Sequence, residues 1–189
     1  MNTWFTADTH FGHAKILEYG RKGFTSVNDM DQKMIEGWNS VVRPEDEVWH
    51  LGDFCLGQKH RAPEYFYALA GIKRLILGNH CNQQTIDLFK TSGGYYGELH
   101  TISGKKKNGI VLCHYALEVW RNSQYGAWNL HGHSHDNLNT RPNAKRLDVG
   151  IDAAIRLLGS PRPFAFDEVR SIMQTRNELS STDHHKAKP

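Results

Sequence analysis

The sequence predicts a mixed α/β domain built from two sheets with outer helices. Three observations carry this. Short apolar runs alternate with helical patterns through the first half of the chain, which favours parallel strand pairing. The second half reads mostly as strand, with a hairpin-type turn at Asn108-Gly109. Ordinary composition, 39% hydrophobic and 23% charged over 189 residues, suits one domain with a sizeable core.

The elements follow in order. "NTWFTA" (2–7) is rich in strand formers and runs into Asp8. Residues 26–42 place Met30, Met34, Trp38 and Val41 at helical spacing, with Ser26 or Asn28 as the cap and Pro44 closing the segment. "EVWHL" (47–51) is a strand leading to Gly52-Asp53, and "APEYFYALAG" (62–71) a short helix stopped by Gly71. "KRLILG" (73–78) is an apolar strand ending at Gly78-Asn79-His80, followed by a helix over 85–92. "GELHTI" and "GIVLCH" form a strand pair across "SGKKKNG". "YGAWNLHG" (125–132) and "KRLDVG" (145–150) add two strands, and a last helix lies near 167–178. The expected organisation is a single domain over 1–178 with a loose polar tail over 179–189. Trp4, Trp38 and Trp49 fit the core. Trp120 and Trp128 fit the core or a cleft wall.

Bulk properties exclude several classes. The net charge of +3 is weak and dispersed, so an anionic substrate is permitted and nucleic acid is not favoured. Three cysteines, widely spaced and without a C-x-x-C pair, argue against a disulfide framework or a thiolate zinc site. No signal peptide is recognised, and no apolar run approaches the roughly 20 residues of a membrane span. A cytoplasmic location without membrane association is expected.

The twelve histidines stand out. Many follow apolar strands, in company with Asp and Asn. Asp8 and His10 come after the first strand, Asp53 after the second, and Asn79 and His80 after "LILG". His114 follows "IVLC", and His133 and His135 follow "WNLHG". The carboxyl ends of strands are where open α/β sheets bind ligands. A set of Asp, Asn and His without thiolate suits Mn, Fe, Zn or Ni better than a closed structural zinc. Asp8, His10, Asp53, Asn79, His114, His133 and His135 are too many for one tetrahedral ion. They suit two divalent ions, with one carboxylate between them and positions left for water and substrate.

The order Asp8-x-His10, Gly52-Asp53, Gly78-Asn79-His80, His114, Gly132-His133-Ser134-His135 resembles the calcineurin-like metallophosphoesterase superfamily over roughly residues 4–136. "DTHFGH", "VWHLGDF" and "LDVGID" look like a small, compact branch of predicted phosphoesterases. The resemblance implies a four-layer α-β-β-α sandwich of two mixed β-sheets flanked by helices. It implies one metal on Asp8, His10 and His135, a second on Asn79, His114 and His133, and Asp53 as the bridge. Mn2+ is the first choice of metal, with Fe, Zn or Ni fitting the same donors. It also implies phosphomonoester or phosphodiester hydrolysis by hydroxide attack on phosphorus, with His80 meeting the leaving-group oxygen. A small phosphoester or nucleotide-like substrate is expected. The competing readings are a nuclease of the same fold and a non-catalytic metal-binding scaffold.

The family usually has an acidic residue after this histidine, where this chain has Cys81. A thiol is a weak hydrogen-bond partner, which implies a less firmly oriented His80, retained metal binding and reduced or redirected turnover. Other residues keep two readings. His13 contacts substrate or caps the following helix. Arg21 and Lys22 steer an anion or are ordinary surface charges. Asp148 and Asp152 orient metal-bound imidazoles from behind or form a strand-end turn. "GKKKNG" (104–109) grips phosphate or is a solvated hairpin tip. His50 and His131 read as core histidines, and His184 and His185 as tail residues.

Overall fold

The computed structural model describes residues 1–57, 59–104, 109–138 and 144–176. The first sheet has strand order β4-β3-β2-β1-β9. In it β1 (Thr3–Thr6), β2 (Glu47–His50), β3 (Ile72–Ile76) and β4 (Tyr96–Gly97) are parallel, and β9 (Phe164–Ala165) is an antiparallel edge. The second sheet has order β5-β6-β7-β8. Its strand β5 (Leu99–Ser103) runs antiparallel to β6 (Gly109–Cys113), while β6, β7 (Trp128–His131) and β8 (Arg146–Asp148) are parallel. The protein is therefore α/β with two mixed sheets and helices, as expected. The expected strand pair around "SGKKKNG" forms, but residues 105–108 of its turn lie outside the described residues, as does the segment 179–189.

Alternation along the strands divides the core into layers. Phe5, Trp49, Leu51 and Ile76 pack with Ile110, Leu112, Leu130 and Leu147 of the second sheet. Trp4, Val48 and Leu75 pack on the other side with helices α1 (Val27–Asn39), α2 (Ala62–Ala68) and α3 (Gln83–Thr91). On the far side of the second sheet, Val111 meets Trp120 and Ala127, carried by a loop with a short 3-10 turn, Ser123–Tyr125. Trp120 thus takes the core role.

Local chemistry sets the helix ends. Ser26 caps α1, its Oγ accepting from Asp29 N at 3.1 Å. Met30, Met34 and Trp38 form the buried stripe, whereas Val41 lies beyond the last turn. Helix α2 stops at Ala68, three residues before Gly71, because the Asn39 side chain donates to Ala68 O at 2.8 Å and accepts from Ala70 N at 2.9 Å. Asn82 caps α3 by accepting from Thr85 N, so that helix starts at Gln83, earlier than expected.

Helix α4 (Ile151–Leu158) is absent from the expected elements. "RLDVGID" reads as a strand leading into a turn, yet Ile151 begins a helix that Gly159 ends with φ of +70°. Its Ile151 and Ile155 pack in the helix-side cluster, and its Ala153 and Ala154 between the sheets. The final helix α5 (Phe166–Gln174) is shorter than expected at its C-terminal end. No helix among the described residues is long and apolar enough to cross a membrane.

Candidate metal centre

The two sheets bring their strand ends to one edge of the structure. The predicted ligands leave β1, β2 and β3 of one sheet and β6 and β7 of the other. Asp8 (φ +53°), His10 (+48°), Asp53 (+59°), His133 (+66°) and His135 (+45°) all adopt left-handed backbone conformations. Non-glycine residues rarely do so, and the strain is of order 1–3 kcal/mol each. Neighbouring backbone holds them there. Asp8 N donates to Gly52 O at 3.0 Å, His10 N to Asp53 O at 3.0 Å and Phe11 N to Phe54 O at 2.9 Å, so the loop after β1 runs alongside the loop after β2. Asp31 accepts from Gly12 N at 3.1 Å and from the Tyr65 hydroxyl at 2.8 Å, anchoring the same loop from below.

Two groups of potential ligand atoms result. Asp8, His10 and His135 form one; Asp8, Asp53 and His114 form the other, with atoms within 4.8 Å of one another in each. Asp53 Oδ2 lies between the halves, 3.8 Å from His10 Nε2 and 3.6 Å from His114 Nε2. Asn79 Oδ1 sits 3.0 Å from both His114 Nε2 and His133 Nδ1. The seven predicted ligands are thus brought together. Asp8 belongs to both groups, a sharing that the resemblance assigns only to Asp53.

The donor set fits a cation. Asp8 Oδ1 and both ring nitrogens of His10 are buried without a hydrogen-bond partner, a costly state for polar atoms. Leu51 O can only accept, so His114 Nδ1 donates to it at 2.7 Å and leaves Nε2 as the unprotonated nitrogen. That Nε2 faces the Asn79 amide oxygen and the Asp53 carboxylate, so electron pairs converge there with no proton between them. Burial, then the Asp148 and Asp53 charges, push the Asp8 carboxyl well above the usual carboxylate range. Burial foremost, with Arg21 and adjoining imidazoles, lowers His10 to about 2, and burial also lowers His114. Neutral imidazole is the form that ligates metals.

A cavity of about 820 Å3 opens over the cluster, with His10, His13, Tyr19, His80, His133 and His135 among its lining residues. The exposed His80 ring lies 5.9 Å from that of His10, and its backbone amide donates to Asp53 Oδ1 at 2.9 Å. His13 stands at the N-cap of the 3-10 turn Ala14–Leu17, its carbonyl accepting from Ile16 N at 3.2 Å, but its side chain makes no capping bond and its ring faces the cavity 5.7 Å from that of His10.

Arg21 does not match the anion-steering expectation. The residue is buried, 4% exposed, and its fork is engaged within the protein. Nε and Nη2 donate to Asp152 at 3.1 and 2.9 Å, Nη1 donates to Thr9 O at 2.9 Å and Nη2 also to Asp8 O at 2.6 Å. Arg21 and Lys22 both line the cavity. Cys81 Sγ accepts from Gly78 N at 3.2 Å, so its hydrogen-bond partner is that amide and not the His80 ring; burial pushes the thiol up.

Asp152 stands behind an imidazole, whereas Asp148 forms the strand-end turn, accepting from Gly150 N at 2.7 Å through Oδ1. Asp148 accepts from Ser134 Oγ at 2.6 Å and Asp136 N at 3.0 Å, and Asp152 accepts from His135 Nδ1 at 2.8 Å. The sequence reading missed why glycine precedes the ligands. A Cβ on Gly52 would lie 2.4 Å from His114 Nδ1, and one on Gly132 2.6 Å from Asp8 Oδ2. Their adjacency in sequence to Asp53 and His133 was the available signal.

Fold and site together define an α/β protein of two mixed sheets with a candidate Asp/His metal centre at one edge. No family model matches the chain. The gene 66 protein of Mycobacterium phage L5 is 30% identical over 200 aligned positions, covering 90% of this chain and 95% of that protein. The gene 66 protein of Mycobacterium phage D29 is 30% identical over 204 positions, covering 94% and 98%. The chain belongs to the family of these gene 66 proteins. An uncharacterized protein of Methanocaldococcus jannaschii, MJ1445, is 29% identical over 187 positions, covering 93% and 97%. The crystal structure of the protein of unknown function AQ665 from Aquifex aeolicus shares the fold, with a TM-score of 0.68 at 21% identity, covering 90% of this chain and 98% of that one.

Proposed function

We propose that this protein is a dinuclear-metal phosphoesterase of the calcineurin-like type, with its two sheets and helices forming that superfamily's four-layer sandwich. The observation that carries the proposal is the position of Asp53 Oδ2 between His10 Nε2 and His114 Nε2, at 3.8 and 3.6 Å, among buried polar atoms that have no partner. Asp8, His10 and His135 would hold one divalent ion and Asn79, His114 and His133 the other, with Asp53 shared and Mn2+ the favoured metal. Bound there, the ions would supply Lewis-acid activation of water and neutralisation of phosphate charge.

The remaining steps belong to the chain's own groups. His80 stands at the cavity wall and delivers a hydrogen bond or proton to the departing oxygen, an effect typically worth about 10²–10⁴-fold. Its amide bond to Asp53 Oδ1 ties the position of that acid to the shared carboxylate. His13, on the same wall, contacts the substrate. A cavity of about 820 Å3 accommodates a nucleotide-sized phosphoester, so a small or nucleotide-like substrate is favoured over a duplex.

The test is a Mn2+-supplemented screen of p-nitrophenyl phosphate, its bis-ester and cyclic nucleotides. Wild type hydrolyses at least one of them, and Asp53→Ala removes all turnover. Full activity in Asp53→Ala refutes the shared role. Absence of hydrolysis by wild type with every divalent metal tried refutes the enzyme.

A further inference from the structure

His135 and the Asp8–His10 loop come from distant parts of the chain and from different sheets, yet one part-buried pair grips both. Asp152, in the first turn of α4, accepts from His135 Nδ1 at 2.8 Å through Oδ2. The same carboxylate accepts from Arg21 at 3.1 Å through Oδ1 and at 2.9 Å through Oδ2. Arg21 in turn donates to the carbonyls of Asp8 and Thr9 at 2.6 and 2.9 Å. The backbone on either side of Thr9 is the strained stretch, with Asp8 and His10 both at positive φ. Rings of His10 and His135 stack at 5.2 Å, 18° from parallel, with Asp152 behind one and Arg21 behind the loop of the other.

We propose that Arg21 and Asp152 are a positioning pair for one half of the metal centre, the half made by Asp8, His10 and His135. Both residues reach the cavity wall, but their polar atoms are committed to each other, to His135 and to the carbonyls of Asp8 and Thr9. Asp152 accepts the Nδ1 proton of His135, which leaves the Nε2 lone pair for the ion, and Arg21 sets the distance between that imidazole and the Asp8–His10 loop. The other half is built without it. His114 is oriented by Leu51 O, and the His133 ring meets Asn79. A planar, always-charged fork suits the task, because four acceptors in three directions must be met at once. Partners of this kind behind a metal-bound histidine typically change affinity by 10–100-fold.

The inference rests on the dinuclear reading, so its test separates the two. Asp152→Asn and Arg21→Lys are made in the full chain. Imidazole 1H–15N correlation spectra are recorded on metal-free protein, and Mn2+ uptake is followed by calorimetry. Wild type shows His135 held as the Nδ1–H tautomer and takes up two equivalents. Asp152→Asn loses that fixed tautomer, and in both variants the same single equivalent weakens about 10–100-fold. The other equivalent stays within about twofold, which also reports that the variants fold. Two equivalents of wild-type affinity in both variants, or two that weaken together, overturn the proposal. If wild type binds no Mn2+, the dinuclear reading fails by itself. The positioning pair is then decided by the spectra, and an unchanged His135 tautomer in Asp152→Asn overturns it.

Discussion

The backbone amide of His133 donates to Asp8 Oδ2 at 2.8 Å, joining residues 125 apart in sequence and binding the loop after β7 to the loop after β1. This bond occupies one oxygen of Asp8 and leaves Oδ1 buried and bare. It also requires the chain just before His133 to pass flat against Asp8, and Gly132 permits that.

Gly132→Ala therefore strikes the centre without replacing a ligand. The new Cβ would lie 2.6 Å from both Ala7 Cβ and Asp8 Oδ2, so backbone must shift. A loss of ~1–3 kcal/mol is expected, in the range of overpacked cores. Urea unfolding of metal-free protein measures it, and a calorimetric Mn2+ titration should show weaker uptake.

Asp8→Asn should trade metal binding for stability. Asp8 is fully buried, and its charge is opposed by burial and by Asp148 and Asp53. Removing the charge relieves this in metal-free protein. An increase of ~1 kcal/mol, or ~2–4 °C in Tm for a chain of this size, is expected in chelator. The rise in Tm that Mn2+ gives wild type should be lost. A metal-free Tm several degrees below wild type would contradict this.

Stability should fall in mild acid through His50. Burial lowers this imidazole from 6.5 to about 3, and its ring contacts Thr9 Oγ1 at 2.9 Å. The unfolded chain then binds a proton that the folded protein does not, so the contribution is complete above pH 6.5 and is lost as pH falls toward 3. The slope is at most ~1.4 kcal/mol per pH unit. In His50→Gln, the stability difference between pH 7 and pH 5, from urea curves in chelator, should shrink by ~2 kcal/mol.

Cys81 should behave as a half-buried, hydrogen-bonded thiol. Its Sγ accepts from the Gly78 amide, and burial raises its pKa. Since the thiolate is the reactive form, alkylation by iodoacetamide at pH 7.5 should be at least ~10-fold slower than for free cysteine, rising to the free rate in urea. Rapid labelling of Cys81 in folded protein would place the thiol elsewhere.

The ligands were legible because each sits at a strand end in a short block of unusual composition. Asp, His or Asn beside glycine after an apolar run leaves a clear trace in a linear sequence. Arg21 left none. A basic residue in a polar stretch reads as surface charge, and only the folded chain shows its fork turned inward onto Asp152. Helix α4 was lost for a related reason. "LDVGID" continues the strand pattern across Val149, and the helix begins where Ile151 N donates to Ala7 O at 3.1 Å, a contact that periodicity does not encode. The end of α2 was misplaced because Asn39, from another helix, takes up its terminal groups.

By itself the sequence determined the α/β class, the parallel run of strands in the first half and the seven polar residues that meet at their ends. Alternation and strand-end composition are local properties, written within a few residues. Tertiary structure decided what those residues became. It placed Asp53 between His10 and His114, put Asp8 in both candidate ligand groups, and joined Arg21 to Asp152 and Asp152 to His135. Such distances arise only when two sheets close face to face, because each involves chain segments separated by tens to more than a hundred residues, and no local pattern sets their spacing.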